Sequence, residues 1–421
     1  MKDYDPSPCK VSVASETGRL RAVLLRRPGE EIERMTPLNA QHALYSDILN
    51  KPDVDEEYSN FCGVLERWTK VYYVRDVLEQ LLADPALRRE LVSVSVRHDR
   101  NLHATDGDVQ SLTDLLCDLP PATLAEVLIE GFENPEWDGQ SDDRYLLHPL
   151  YNLLFTRDAS STLYDRVLIN SMRFEVRERE AYLYESIFRH FFGVDTLCAE
   201  RWDSEARTEG GDVQIASSDL LCIGQGIRTN AKGIQYLAET FARERETFHI
   251  LVQELPHEPE SFIHLDMVFT FLGRHECMCF EPMLKKQGLF SNKDTWLITM
   301  DHGRMTHKRV ENIVKGLNSL GWDMTPIISG GRDPWVQLRE QWHSGVNFFA
   351  LDDCRVMGYS RNTHTIDALD RAGYAVLKAE DIINDRVQMA DYKKFVAAFP
   401  GSELPRAGGG ARCMTMPVWR D

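Results

Sequence analysis

Two stretches of the 421-residue chain, LLCIGQGIRTNAKGIQYLAETF at 220–241 and RVMGYSRNTHTIDALDRAGYAVL at 355–377, follow one plan. Each is a β-rich run, then Gly, then Arg with Asn close behind, then a helix; Arg228 and Arg361 both fall where a strand ends. A short unit of this kind cannot bury its apolar face alone, so its copies must pack on one another. The expectation is an α/β core of repeated strand and helix units arranged around an axis, propeller-like rather than a doubly wound sheet. No GxGxxG follows a strand and no GxxxxGK[ST] occurs, so neither usual phosphate-cradling loop is visible.

The same alternation opens the chain. RLRAVLLRRPGEE predicts a strand over Leu20 to Leu25, ended by Pro28-Gly29, with an amphipathic stretch after about residue 55 and a strand KVYYV at 70–74. From Asp76 to about Gly139 the periodicity turns helical, as in DVLEQLLADPALRREL and PPATLAEVLIEGF, with no convincing strand. The expected organisation is a catalytic core of residues 1–75 and 146–421, with a helical domain inserted at 76–145.

Composition narrows the partners. A formal net charge of −18 repels phosphate and so argues against nucleic acid and anionic membranes, and favours small cationic ligands. The start, MKDYDPSPCK, lacks the apolar core of a signal peptide, and no stretch approaches the roughly 18 apolar residues that span a bilayer, so the expected location is cytoplasmic. Nine cysteines without CxxC pairs fit reduced thiols. Cys277 and Cys279, beside His275, alternate with apolar residues as in a buried strand and lack the ligand set of a structural zinc. No metal and no cofactor is expected.

Four clusters could carry chemistry. HPLYNLLFTRDAS brackets the apolar residues Leu153 to Phe155, read as strand, with Asn152 and Asp158, which suits a site rim; a β-turn capped by Asp is the plain alternative. RTEGGDVQIAS sets two glycines between Glu209 and Asp212, allowing close backbone approach and paired anions that could hold a guanidinium; a polar hairpin turn is the alternative. SFIHLDMVFTFL puts His264 and Asp266 two apart in an apolar strand, hence on one face, where a buried ionisable pair is costly unless satisfied. A neutral core histidine is the alternative there. Finally, Cys413 follows GGGAR, whose glycines can bring N–H groups near a reacting centre while a histidine elsewhere serves as acid and base; a cysteine acting as a small hydrophobe is the alternative. A thiol, an acid–base histidine and several carboxylates suit thiolate attack on a planar cation with an electrophilic carbon, such as a guanidinium.

Six motifs in order, VSVASETGRLRAVLLRRPGEEIERMTP, PLYNLLFTRD, MRFEVRERE, EGGD, HLDMVFT and GGGARCMTMP, span some 400 residues and resemble the arginine deiminase family of guanidino-modifying enzymes. The resemblance implies an α/β-propeller of pseudo-fivefold symmetry with an early helical insert. It implies Cys413 as nucleophile, His264 as general acid and base, Asp158 and Asp266 gripping the guanidinium, and Glu209 orienting the histidine. Asn152, Arg177 and Arg228 match the residues that hold the α-carboxylate and amino end. The implied activity is hydrolysis of free L-arginine to L-citrulline and ammonia through an S-alkylthiouronium, without a cofactor. A hydrolase of a related guanidino or ureido compound such as citrulline, an amidinotransferase and a non-catalytic arginine-binding protein are the alternatives. The chain departs from the usual PNLYFTRDP at Tyr151, Leu154 and Ala159, has Met267 for Thr, and carries Gly408 where many members have Arg, with Arg406 two residues earlier. A homo-oligomer is compatible with the sequence, the helical insert offering a contact surface.

Overall fold

The expected strand over Leu20–Leu25 is present in the computed structural model of the chain, which describes residues 7–37, 39–99, 106–139 and 144–421. The reading of the N-terminal stretch at 1–6, and the parts of the helical block at 100–105 and 140–143, lie outside the described residues. All of that strand except Arg21 is buried, and a near-continuous Leu/Val run is what a strand covered on both faces requires. Helix Lys51–Trp68 follows, its first turn capped by the Asn50 side chain accepting from the Asp53 N–H at 3.3 Å. Strand Lys70–Tyr73 then pairs parallel to Leu20–Leu25, completing a strand, helix, strand unit.

Among the described residues, five sheets repeat this unit with one addition. In each, a middle strand runs antiparallel to one neighbour and parallel to another, with a helix in the connection to the parallel side. The first sheet centres on Leu20–Leu25, with Met416–Arg420 as its antiparallel partner. The second centres on Arg166–Ile169, between Ser160–Leu163 and Thr196–Leu197. The third centres on Leu220–Gln225, between Val213–Ser217 and Thr247–Glu254, and is widened by the hairpin Thr295–Asp301 and Arg304–Val310. The fourth centres on Glu276–Cys279, between Phe269–Phe271 and Thr325–Ile328. The fifth centres on Arg355–Tyr359, between Phe349–Asp352 and Phe395–Phe399, with Ala375–Lys378 beyond. Arg228 and Arg361 sit in the loops that lead from the middle strands of the third and fifth sheets into helices Ala231–Ala242 and Thr363–Arg371.

Helices Val74–Leu81, Pro85–Arg97, Asp106–Cys117 and Pro121–Glu130 occupy the stretch of helical periodicity. Leu78, Val92, Leu124 and Leu128 share one buried apolar cluster with Leu24, Ile169 and Met416, so these helices rest on the first and second sheets. A short antiparallel pair, Phe132–Glu133 with Tyr145–Leu147, follows them and was not legible in the pattern.

Two expected strands are corrected. Leu153 to Phe155 form turns, and the strand after them begins at Ser160. His264 heads a 3-10 turn, Leu265–Met267, and the strand begins only at Phe269. There the backbone bonds to itself, Met267 N–H to His264 O at 3.2 Å and Val268 N–H to Leu265 O at 2.9 Å, instead of joining a ladder. The expected strand around Cys277 and Cys279 is present and buried, with the two sulfurs 3.6 Å apart on one face.

Candidate active site

In each of the five sheets, the antiparallel neighbour of the middle strand is preceded, within four residues, by a buried polar or thiol side chain. These are Asp158 before Ser160, Glu209 before Val213, Asp266 before Phe269, Asn347 before Phe349 and Cys413 before Met416. Hydrogen bonds join the five segments in a ring. Arg157 N–H donates to Cys413 O at 3.1 Å, and Gly210 N–H to Asp158 O at 3.0 Å. Leu265 N–H donates to Asp212 Oδ1 at 3.0 Å, Asn347 Nδ2 to Asp266 O at 3.3 Å, and Arg412 N–H to Asn347 Oδ1 at 2.9 Å. The glycines of EGGD allow this closeness: a Cβ on Gly210 would lie 2.0 Å from Arg157 O, and one on Gly211 would lie 2.4 Å from His264 Nδ1.

His264 is 1 % exposed and held from two sides. Its Nε2 is 2.9 Å from Glu209 Oε2, and its Nδ1 is 3.9 Å from Asp158 Oδ1. Burial alone would depress the imidazolium, but Asp158, the Glu209 hydrogen bond and Asp212 outweigh it and raise the pKa to about 9. Glu209 in turn works against its own burial through Arg228 and His264, which hold its carboxyl well below the usual range. Arg228 Nη1 contacts both carboxylate oxygens of Glu209, at 3.3 and 3.0 Å, so the guanidinium held at EGGD belongs to the chain itself. The loop that carries Arg228 is fixed to this segment: Thr229 Oγ1 accepts from Glu209 N–H at 3.0 Å, and Asn230 both caps the following helix and accepts from Arg207 N–H at 3.1 Å.

The Cys413 Sγ lies 3.8 Å from Asp266 Oδ2 and 3.2 Å from Asn347 Nδ2. Burial pushes the thiol well above its ordinary range and Asp266 and Asp158 push it further, against the Gly410 backbone and Arg412. Burial also raises Asp266, although Arg412 and His264 oppose it. Arg412 donates to Asp266 Oδ2 at 2.9 Å, to Glu16 at 3.0 and 3.1 Å, and to three backbone carbonyls, of Gly210, Gly211 and Val213. Burial is thus compensated by a full set of acceptors, as a buried guanidinium requires.

Asn152, Asp158, Arg177, Arg228, His264 and Cys413 line one pocket, together with Trp342 and Gly408. Glu209 and Asp266, both fully buried, adjoin these wall residues, Glu209 Oε2 at 2.9 Å from His264 Nε2 and Asp266 Oδ2 at 3.8 Å from the Cys413 sulfur. Arg177 Nη1 donates to Asp158 Oδ2 at 2.7 Å, and its other nitrogens are taken mainly by Glu180. The Asn152 amide donates to Ala43 O at 2.7 Å. Arg406 is tied outside the pocket, to Asp47 and to Glu403, so it does not stand in for an arginine at Gly408. Sequence reasoning singled out none of Glu16, Glu180, Asn347 or Arg412. Arg412 carried a usable signal, a cation among Gly, Ala, Cys and Met that must be buried; Asn347, in HSGVNFFAL, carried none.

A family model of arginine deiminase matches residues 42–420. The chain belongs to the arginine deiminase family. An arginine deiminase of Limosilactobacillus fermentum is 29 % identical over 98 % of both chains. As a member of the arginine deiminase family the chain is a hydrolase acting on C–N bonds of linear amidines. Its fold extends beyond that family. SxtG, an amidinotransferase of Microseira wollei, aligns over 98 % of both chains with a TM-score of 0.52 at 16 % identity. The dimethylarginine dimethylaminohydrolase of Pseudomonas aeruginosa, solved with citrulline, aligns over 94 % of this chain and 99 % of that one, with a TM-score of 0.50 at 12 % identity. These neighbours share the mixed α/β, propeller-like architecture. No helix among the described residues is long and apolar enough to cross a membrane.

Proposed function

We propose that this family member hydrolyses the guanidinium of free L-arginine to L-citrulline and ammonia, with Cys413 as nucleophile. One observation carries the reading. Asp158 Oδ1, Asp266 Oδ1 and His264 Nδ1 are buried without a hydrogen-bond partner within the chain, around the Cys413 thiol. Two orphaned carboxylate oxygens are acceptors for guanidinium N–H groups, and orphaned acceptors in a site of this burial call for a donor. Arg228 Nε is likewise without a partner, a donor suited to an α-carboxylate beside Arg177 and Asn152. In this reading the five sheets are five blades around the site, residues 1–75 and 146–421 form the catalytic core and 76–145 the insert.

The chemistry follows from the charges. In the free site the thiol is neutral and His264 is an imidazolium. The bound cation offsets the Asp158 and Asp266 charges, and the thiol proton leaves to solvent as the guanidinium docks. The thiolate attacks the guanidinium carbon, and His264 protonates the departing nitrogen, which leaves as ammonia. The same histidine, now neutral, takes a proton from water as that water attacks the S-alkylthiouronium. Collapse of the adduct to the carbonyl expels the sulfur, which takes up the hydroxyl proton, and leaves the ureido product with the free thiol. Glu209 keeps the ring oriented throughout.

A second reading, another guanidino or ureido substrate, is favoured by Gly408. Its φ is +93°, and a Cβ built there meets nothing within 4 Å, so the pocket has room where the family resemblance implies an arginine. The deciding experiment is incubation of purified protein with arginine, citrulline, agmatine and methylated arginines, scoring ammonia and ureido product. Ammonia with citrulline from arginine supports the first reading; release from another compound in preference to arginine supports the second. Full turnover by Cys413→Ala would sink the covalent mechanism in both.

A further inference from the structure

We propose that Asn347 is a catalytic residue whose amide N–H donates to the Cys413 sulfur and stabilises the thiolate as it forms and as it is expelled. The inference rests on Cys413 being the nucleophile. Its first support is position. Four of the five segments that meet in the ring supply Asp158, Glu209, the His264 and Asp266 pair, and Cys413; the fifth, just ahead of Phe349–Asp352, supplies Asn347. The residue is 1 % exposed, so nothing about it serves solubility.

The direction of the amide is determined by its neighbours. Its Oδ1 faces two backbone donors, Arg412 N–H at 2.9 Å and Cys413 N–H at 3.3 Å, and only an oxygen can accept from them. The Nδ2 therefore faces Cys413 Sγ at 3.2 Å and Asp266 O at 3.3 Å, with Met267 Sδ farther off at 3.7 Å, so its two hydrogens serve the two nearer acceptors. Gly410 makes room for this arrangement: a Cβ there would lie 2.6 Å from Asn347 Oδ1 and 2.7 Å from its Cβ. One amide thus joins the turn bearing Asp266 to the loop bearing the nucleophile, while its free hydrogen points at sulfur.

A neutral donor is what the electrostatics of this site require. Asp266 and Asp158 disfavour a thiolate, yet both must keep their charge to hold a cationic substrate. A lysine beside the sulfur would favour the thiolate and repel the guanidinium. An amide hydrogen bond favours the thiolate, adds no net charge, and strengthens as the sulfur becomes anionic.

The test compares wild type with Asn347→Ala and Asn347→Asp in the full chain. Asn347→Asp keeps the shape and the accepting oxygen but replaces the donor with a second oxygen. Alkylation of Cys413 by iodoacetamide, followed by mass spectrometry of its peptide over a range of pH, reads the thiol directly and needs no turnover; kcat and KM for arginine read catalysis. The expected result is an apparent thiol pKa raised by about one unit or more and kcat lowered roughly 10- to 100-fold, with KM within about threefold. If Asn347→Asp does not fold, Asn347→Ala, which buries no charge, decides by the same two readings. A folded variant with an unchanged alkylation profile overturns the proposal, whether or not kcat falls, because a purely structural role would leave the thiol's titration where it was. Activity retained by Cys413→Ala would instead remove the nucleophile assignment, and a wild type inert toward arginine would leave the alkylation reading intact.

Discussion

Replacing Glu209 by Gln keeps the side-chain volume and removes one negative charge from beneath His264. Glu209 Oε2 lies 2.9 Å from His264 Nε2 and 3.0 Å from Arg228 Nη1, in full burial. Unit charges about 4 Å apart at an effective dielectric of about 20 interact by about 4 kcal/mol. The amide oxygen of the glutamine still accepts from the imidazolium Nε2–H, a bond that recovers about 2 kcal/mol, which leaves on the order of 2 kcal/mol, between one and two pKa units. The His264 pKa of about 9 then falls to roughly 7.5. The assay is kcat/KM for arginine from about pH 6 to about 10, where the alkaline limb reports loss of the acid. That limb is expected to move toward neutrality by one to two units, roughly, with activity at low pH much less affected. A folded Glu209→Gln enzyme whose alkaline limb stays in place would refute the reasoning, since the histidine would then owe its proton to something other than this carboxylate.

Three other outcomes follow from the same geometry. Gly211→Ala sets a Cβ 2.4 Å from His264 Nδ1, so the ring must move; turnover should fall by roughly 100-fold or more while melting shows a loss of only about 1–3 kcal/mol. Arg228→Lys keeps a positive charge against Glu209 but lacks the unpartnered Nε–H, so KM for arginine should rise about tenfold and KM for agmatine, which has no carboxylate, should hardly change. Urea denaturation across pH reads His264 as well. Its folded pKa of about 9 exceeds the unfolded value of about 6.5, so its contribution, about 3 kcal/mol, is fully present below the lower value and lost as pH rises through the higher. Asp212, raised to about 7 by burial, acts in the same direction at lower pH, and a stability that climbed between about pH 6.5 and 9.5 would contradict the assignment.

Strand and helix units were legible because their burial is periodic: the first strand, its helix, the helical stretch after residue 74 and the repeated unit at 220–241 all carry the pattern that burial imposes. The turns were not. His264 and Asp266 were expected on one face of a strand, where a period of two would point them the same way. In the 3-10 turn they diverge, the histidine toward Glu209 and Asp158, the aspartate toward Arg412 and Cys413, so one short segment reaches both the Glu209 carboxylate and the Cys413 thiol. EGGD was readable because two adjacent glycines between carboxylates announce a close approach. Asn347 was not, since an uncharged residue at the edge of an apolar strand looks like any turn until the residues that meet it, from far along the chain, are in place.

The strand that follows Cys413, Met416–Arg420, pairs with Leu20–Leu25, and Arg412 reaches Glu16 across a sequence separation of 396 residues. Contacts of that separation close nearly the whole chain into a loop and are costly to make before the intervening units are ordered. Until they form, Cys413 is a water-exposed thiol of ordinary acidity with no histidine or carboxylates around it. If Cys413 is the nucleophile, regain of activity after dilution from denaturant should track the joining of the chain's two distant segments, and a thiol reagent added before that joining should block it.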